Sequence, residues 1–122
     1  MSSVSLSLPY PPSVNSIWRN VGPRTLLSAK GRTYRAAVAR LMASQGVGSH
    51  FASDAPLNVV LQVYPPDRRR RDLDNLPKAI FDALTHAGLW GDDSQIDQFT
   101  VKRMSVRKGG AIGVVVSRME AA

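Results

Sequence analysis

The stretch that decides the fold reads LNVVLQVYPPDRRRRDLDNLPKAIFDALTHAG and covers residues 57–88. It opens with an almost continuous apolar run, rich in valine, that is typical of a strand buried on both faces. Pro65 and Pro66 end this strand because proline has no backbone N–H to give to a neighbouring strand. Apolar residues then recur every three or four positions up to Gly88, which predicts a helix that this glycine ends.

Pro77 indicates where this helix begins. Proline is tolerated in the first helical turn, whose N–H groups have no partner within the helix, and it disfavours helical backbone at the residue before it. We therefore expect Asp74 or Asn75 to be the N-cap and the helix to continue to about Ala87. Asp72 then lies in extended chain that leaves the strand.

Shorter patterns on either side predict the remaining elements. Val4, Leu6 and Leu8 alternate with serines, as in a half-buried strand. Ser28 is a suitable N-cap for a helix over 28–45, whose apolar residues follow helical spacing. The other predicted segments are a loop or irregular hairpin over 13–27, strands over 96–106 and 112–117, and a hairpin turn over 107–110.

The resulting order, β-α-β-α-β-β, predicts an α+β (mixed α/β) domain in which a mixed sheet packs against two helices. The chain has 122 residues and a mass of 13.3 kDa, so we expect a single small domain over residues 1–122. Apolar residues make up 43% and charged residues 20%, values that exclude a disordered chain.

Composition also bounds the cellular setting. The chain has no cysteine, which excludes a disulfide scaffold and a thiolate metal site. Its first residues lack the basic and apolar regions of a secretory signal. No apolar run approaches the ~20 residues that a membrane-spanning helix needs. We therefore expect a soluble protein of the cytoplasm with no membrane partner.

The charge is large and unevenly distributed. The formal net charge is +7, from sixteen Lys and Arg against nine Asp and Glu. Residues 1–50 contain six Arg or Lys and no acid, whereas residues 51–122 contain ten bases and nine acids, a net of +1. A basic region without acids indicates a polyanionic partner, most often nucleic acid. The plain alternative is that these charges only keep the surface soluble.

The few acids are clustered, which is informative in a basic chain. Asp72 and Asp74 are two positions apart, so in extended chain their carboxylates lie on the same side. Asp74 and Lys78 are four apart and share a helix face. Two or three such carboxylates form a credible site for Mg²⁺, which prefers oxygen ligands. A nearby lysine then stabilises the charge that develops on a phosphodiester, and the arginines at 68–71 hold the substrate backbone.

The same residues also allow a purely structural interpretation. Asp74 can act as an N-cap, Asp72 can pair with a nearby arginine, and Asp92 and Asp93 can serve as turn residues. A D-x-D motif alone favours this interpretation. The combination of Asp72, Asp74, Lys78 and Asp93 beside four arginines favours a metal-dependent site instead.

Residues 67–95, DRRRRDLDNLPKAIFDALTHAGLWGDDSQ, resemble the signature of RusA-type Holliday junction resolvases. These are small dimeric endonucleases of bacteria and their phages. The likeness extends over nearly the whole chain. The opening LPYPPSVN at residues 8–15 resembles the family's early Pro-Pro-Ser-x-Asn element, while Ser28, Gly31, Tyr34 and Arg35 match its first helix. The Lys-Gly-Gly at 108–110 falls in the late hairpin.

The resemblance implies hydrolysis of DNA strands at four-way junctions with Mg²⁺, for which Mn²⁺ can substitute, and with no organic cofactor. It implies that Asp72, Asp74 and Asp93 are metal ligands and that Lys78 is an essential basic residue. Only one of Asp92 and Asp93 should face the metal, because adjacent side chains on extended chain point apart. The residues expected to contact DNA are Arg68, Arg69, Arg70, Arg71, Arg19, Asn15, Arg35 and Lys108.

The leading hypothesis is therefore a homodimeric junction resolvase, associated with the nucleoid of a bacterial or phage-infected cell, since paired cuts need two symmetric sites. One alternative is a basic nucleic-acid-binding module without catalysis, in which the aspartates only cap and pair. Another is a metal-dependent nuclease that acts on other branched DNA.

Overall fold

A computed structural model describes residues 3–47 and 51–119. It confirms an α+β domain with a mixed sheet and two long helices. The elements are β1 (Ser3–Leu8), α1 (Val14–Ile17), β2 (Trp18–Val21), β3 (Arg24–Leu27), α2 (Ala29–Ser44), β4 (Leu57–Tyr64), α3 (Leu76–Ala87), a 3₁₀ turn (Asp93–Gln95), β5 (Ile96–Arg103) and β6 (Ala111–Arg118). No helix of the described ranges is long and apolar enough to cross a membrane.

The main sheet has the strand order β1-β6-β4-β5. β4 pairs antiparallel with β6 and parallel with β5, and β6 pairs antiparallel with β1. The register places Leu6, Val114, Leu61 and Val101 in one row across the four strands. Helices α2 and α3 pack on this face, so that its side chains form one core with those of the helices.

The expectation that β4 is buried on both faces is wrong. Its residues alternate between buried and half-buried positions, with Leu57, Val59, Leu61 and Val63 facing the core. The reason is the layer arrangement, because the helices cover one face of the sheet only. The apolar run therefore reflects the central position of β4 rather than a second covering layer.

Residues 13–27 are more ordered than the sequence indicates. They form the single-turn helix α1 followed by the hairpin β2–β3, which is a separate two-stranded sheet. The predicted order β-α-β-α-β-β therefore lacks α1 and both strands of the hairpin. Gly22 lies at the tip with a positive φ of 59°, and this left-handed backbone is readily adopted by glycine.

Both helix starts agree with the capping predictions. The hydroxyl of Ser28 accepts a hydrogen bond from the Gly31 N–H at 3.1 Å and caps α2. Asn75 is the N-cap of α3, and Gly88 ends this helix with φ 87°. At the far edge of the sheet, the Gln45 amide that follows α2 hydrogen-bonds the backbone N–H and C=O of Ser7 in β1, at 3.4 and 3.3 Å.

Candidate active site

The arginine-rich loop that follows β4 is closed by an ion pair between its ends. Asp67 accepts hydrogen bonds from both terminal nitrogens of Arg71, one of them 3.1 Å long, and from the Arg69 backbone N–H at 2.9 Å. The bonds from Arg71, followed by the bond from Arg69, lower the pKa of Asp67 to about 2. Arg103 on β5 also donates to the Arg71 carbonyl oxygen, at 2.7 Å. Because its ends are fixed, the loop presents Arg68, Arg69 and Arg70 to solvent.

A groove of about 580 Å³ runs between α3 and the edge strand β5. The rings of Phe81 and Phe99 meet edge to face across it, with centroids 5.2 Å apart. The groove therefore brings together three of the four predicted catalytic residues: Asp74 from the turn before α3, Lys78 from the first turn of α3 and Asp93 from the 3₁₀ turn before β5. Its lining consists of Leu73, Asp74, Pro77, Lys78, Phe81, Asp93, Phe99 and Val101.

Asp72 lines a different depression, on the other side of the α3 N-terminus. The backbone bends at Leu73 and turns at Asp74 and Asn75, so the segment is not extended there. The extended segment from which a same-side arrangement was expected is therefore absent at residues 73–75, and the two aspartates line different depressions. Within residues 3–47 and 51–119, no three acidic, histidine or cysteine side chains lie close enough together to hold a metal ion.

The three predicted ligands nevertheless take no part in the ion pairs of the described residues. The ion pairs between described residues join Asp67 to Arg69 and Arg71, and Arg35 to Asp82. None of them involves Asp72, Asp74 or Asp93, although the chain carries sixteen Lys and Arg. These exposed carboxylates are the hard oxygen donors that Mg²⁺ prefers, so their chemistry fits a divalent cation.

Lys78 contacts an aromatic ring that comes from the N-terminal hairpin. Its ammonium nitrogen lies 5.2 Å from the centre of the Trp18 ring, within the range of a cation–π interaction. The Trp18 indole N–H is buried and has no hydrogen-bond partner among the described residues. The sequence gives no sign of this contact, since no local pattern links the hairpin to α3.

The turn that carries Asp93 is built around Asp92 and Gln95. Asp92 accepts a hydrogen bond from the Ser94 N–H at 3.2 Å. Hydrogen bonding from the Ser94 side chain, followed by that from the Ser94 backbone, lowers the pKa of Asp92. The buried Gln95 amide accepts from the N–H groups of Gly91 and Asp92 and donates to two carbonyl oxygens of the 52–55 segment. Asp92 is thereby committed to the turn, while Asp93 lines the groove. Sequence reasoning missed Gln95, although a glutamine three positions after an aspartate N-cap is a capping-box signal.

The residues expected to contact DNA differ in whether their side chains are exposed or already paired with an aspartate. Arg19 is exposed on β2, and Lys108 is exposed in the connection between β5 and β6. The predicted hairpin at 107–110 is wrong, because β4 lies between these two strands in the sheet and the connection crosses over it. Arg35 donates to Asp82 from Nε and Nη2, at 3.0 and 2.8 Å, and joins α2 to α3. Arg71 is held by Asp67, as described above. The side chain of Asn15 lies outside the described part of the structure. DNA binding by each of these residues stays a prediction.

Comparison with known proteins defines the family. The family model described as endodeoxyribonuclease RusA matches residues 9–117. The chain belongs to this family. It is 44% identical over 119 residues to the crossover junction endodeoxyribonuclease RusA of Escherichia coli K12, and 98% of each chain is covered. It is 43% identical, with the same coverage, to the proteins of that name from Enterobacteria phage 82 and Shigella sonnei.

Membership of the RusA family confirms the resemblance that residues 67–95 indicated. The matched range includes the arginine loop, both depressions beside α3 and the connection between β5 and β6. The family's name denotes an endodeoxyribonuclease, an enzyme that cuts DNA. Cleavage of DNA is therefore the activity with which the geometry of the site should agree.

Proposed function

We propose that this protein resolves four-way (Holliday) junctions in DNA by metal-dependent hydrolysis of phosphodiester bonds. The relatives that it matches over 98% of their length are named crossover junction endodeoxyribonucleases. The observation that carries the proposal is the groove in which Asp74, Asp93 and Lys78 meet, beside an exposed run of arginines. Unpaired carboxylates on a protein of net charge +7 have no evident structural role at this place.

Asp74 and Asp93 would hold a Mg²⁺ or Mn²⁺ ion in the groove. Asp72 lines the adjacent depression in this structure, so it would join them only after a shift of the turn at residues 73–75. When bound, such an ion supplies positive charge where the phosphodiester becomes more negative during hydrolysis. Carboxylates that are exposed and unpaired cost little to bring to a cation, because they break no existing ion pair.

Lys78 and the exposed arginines would position the DNA. The Lys78 ammonium lies in the same groove as Asp74 and Asp93 and can donate to a phosphate oxygen of the scissile bond. Arg68, Arg69 and Arg70 protrude from the loop before α3, where they can bind phosphates on either side of the cut. Since these contacts neutralise phosphates, binding should weaken steeply as salt concentration rises.

Resolution needs two cuts on opposed strands, so we further propose that the active species is a homodimer. A two-fold axis would relate two copies of the groove as the junction's own axis relates its strands. The DNA substrate implies that the protein acts in the cytoplasm, at the nucleoid.

Cleavage of defined DNA substrates tests the proposed function. Four-way, three-way and linear duplexes are incubated with the purified protein in Mg²⁺ or in EDTA. Paired symmetric nicks at the four-way junction, in Mg²⁺ alone, are expected. Equal cutting of all three substrates would instead indicate a nuclease without junction selectivity, and binding without scission would indicate a non-catalytic module.

Matched variants test the assigned carboxylates. We expect Asp72→Asn, Asp74→Asn and Asp93→Asn each to abolish cleavage and to leave junction binding intact or tighter, because each removes a ligand and a negative charge near phosphate. Asp54→Asn, at an exposed acid on a turn outside the groove, is the control and should cut normally. Undiminished cutting by a groove variant in Mg²⁺ would exclude that residue as a ligand.

A further inference from the structure

The depression that Asp72 lines is a formed pocket of about 360 Å³, here called the Tyr10 pocket. Its volume falls within the roughly 300–1,000 Å³ of small-molecule sites. Its walls are mostly apolar, and polar groups come from both flanking segments. The lining consists of Tyr10, Pro11, Pro12, Ser13, Pro66, Arg71, Asp72, Asn75 and Leu76.

The Tyr10 wall of this pocket is held from several sides. The Arg71 guanidinium lies 5.9 Å from the centre of the Tyr10 ring. Behind the ring, Gly110 packs so closely that a Cβ at that position would come within 2.8 Å of the Tyr10 Cβ. The neighbouring Pro9 carbonyl accepts a hydrogen bond from the Tyr34 hydroxyl at 2.9 Å. The pocket therefore exists before any ligand arrives, which lowers the entropic cost of filling it.

The chemistry of the lining excludes a phosphate as the occupant. The Asp72 carboxylate would repel it, and the Arg71 guanidinium is already engaged by Asp67. A flat apolar body with polar edges fits better, because Tyr10, two prolines and Leu76 offer surface while Ser13 and Asn75 offer hydrogen-bonding groups. A nucleobase that has left its stack has this character.

The position of the pocket agrees with such an occupant. Pro66, Arg71 and Asp72, at the two ends of the arginine loop, all line the pocket, so a DNA backbone bound by residues 68–70 would pass close to it. The first turn of α3 separates the pocket from the groove, since Asn75 and Leu76 line the former while Pro77 and Lys78 line the latter. A strand whose scissile phosphate lies in the groove therefore has its next nucleotide beside the pocket.

We propose that the Tyr10 pocket takes up one unstacked nucleobase adjacent to the scissile phosphate. Stacking on Tyr10 holds the base out of the helix, and the Asn75 amide, which donates and accepts, contacts its hydrogen-bonding edge. Because bases differ at that edge, the pocket also sets a preference for the nucleotide at the cut. The inference rests on the proposed function, since the base belongs to the DNA that the groove cleaves.

Junctions that lack single bases test this proposal. Each nucleotide next to the cut is replaced in turn by an abasic residue, and cleavage is measured with the intact protein. At one position the wild-type rate should fall on the order of tenfold, the scale of one base–aromatic stack. Tyr10→Ala should cut the intact junction slowly, but removing that base should cost it little more, because both changes delete the same contact.

Two further variants keep the result interpretable. Asn75→Ala changes an exposed N-cap whose side chain makes no capping hydrogen bond, so it should fold and should lose preference among the four bases. Tyr64→Ala removes a comparable pair, in which the Arg107 guanidinium lies 4.0 Å from the tyrosine ring outside the pocket, and should keep the wild-type sensitivity. Circular dichroism confirms that each variant is folded.

The outcomes separate the pocket from the nuclease. If the wild type cuts every abasic junction at the intact rate, or if Tyr10→Ala and wild type are equally sensitive to base loss, the pocket holds no base although the enzyme remains a resolvase. If the wild type fails to cut even the intact junction in Mg²⁺, the proposed function itself is wrong.

Discussion

The ammonium nitrogen of Lys78 lies 5.2 Å from the centre of the Trp18 ring, and this contact links α3 to the hairpin β2–β3. Lys78 belongs to the groove, whereas Trp18 opens a hairpin that belongs to a separate small sheet. The indole face attracts the cation and limits where it can rest. Trp18 is therefore a positioning residue for Lys78.

Replacing Trp18 tests this positioning role. Trp18→Leu should lower the cleavage rate roughly fivefold, the equivalent of the ~1 kcal/mol typical of a cation–π contact, with junction affinity unchanged. Trp18→Phe keeps an aromatic face and should retain most of the rate. In a Lys78→Met background, Trp18→Leu should cause no further loss. A full additional loss in that background would show that Trp18 acts independently of Lys78.

Titration of Asp67 tests the closed arginine loop. Its carboxyl should titrate near pH 2 in an NMR pH series, below the usual 3.8, because Arg71 stabilises the charged form. A lowered folded pKa means that this pair stabilises the fold above pH ~3.8 and loses that contribution as pH falls through about 2. Arg71→Gln should raise the midpoint, whereas Arg70→Gln is the matched control from the same run. A midpoint at the usual value in the wild type would contradict the pairing.

Gln95 should be needed for both stability and activity. Gln95→Ala leaves two N–H groups and two carbonyl oxygens of the Asp93 turn without their partner. We expect the free energy of unfolding in urea to fall by about 2–4 kcal/mol and cleavage to weaken as Asp93 loses its fixed position. Gln98→Ala, at an exposed position on β5, should change neither quantity. A stable, fully active Gln95→Ala variant would show that the turn keeps its conformation without these hydrogen bonds.

Alanine substitutions at two adjacent glycines distinguish the cost of left-handed backbone from the cost of a close contact with Tyr10. Gly109 and Gly110 both have positive φ, 82° and 74°, so alanine at either position pays the left-handed penalty of about 1–2 kcal/mol. Around Gly109 a Cβ meets nothing within 4 Å, whereas at Gly110 it would press on Tyr10. Thermal unfolding should therefore show the larger loss for Gly110→Ala. Equal losses would mean that the Tyr10 wall can move aside.

The sequence predicted the parts of this molecule that depend on local periodicity. The alternation at Val4, Leu6 and Leu8, the cap at Ser28 and the proline at the start of α3 each report a backbone state, and each agrees with the structure. For the hairpin β2–β3 the sequence predicts only a loop or irregular hairpin. Its strands have four residues each, and such short segments show little alternation.

The site was predicted in composition but not in arrangement. Asp74, Lys78 and Asp93 were named from motif and resemblance, and they line one groove. Their separation from Asp72 arises from the turn before α3, which a two-residue spacing cannot reveal. The contacts of Trp18 and Tyr10 depend on tertiary packing between segments that are distant in the sequence, so no local pattern predicts them.

The first turn of α3 is a shared partition with a depression on either flank. A substitution that tilts this turn would displace the groove and the Tyr10 pocket together. It would therefore change hydrolysis and the preference among bases at the same time. A library meant to change where the enzyme cuts should vary Tyr10, Ser13 and Pro66, which reach the pocket from other segments. Asn75 can be varied as well, because its side chain makes no capping hydrogen bond, whereas Leu73, Asp74, Leu76 and Pro77 are best kept constant in such a library.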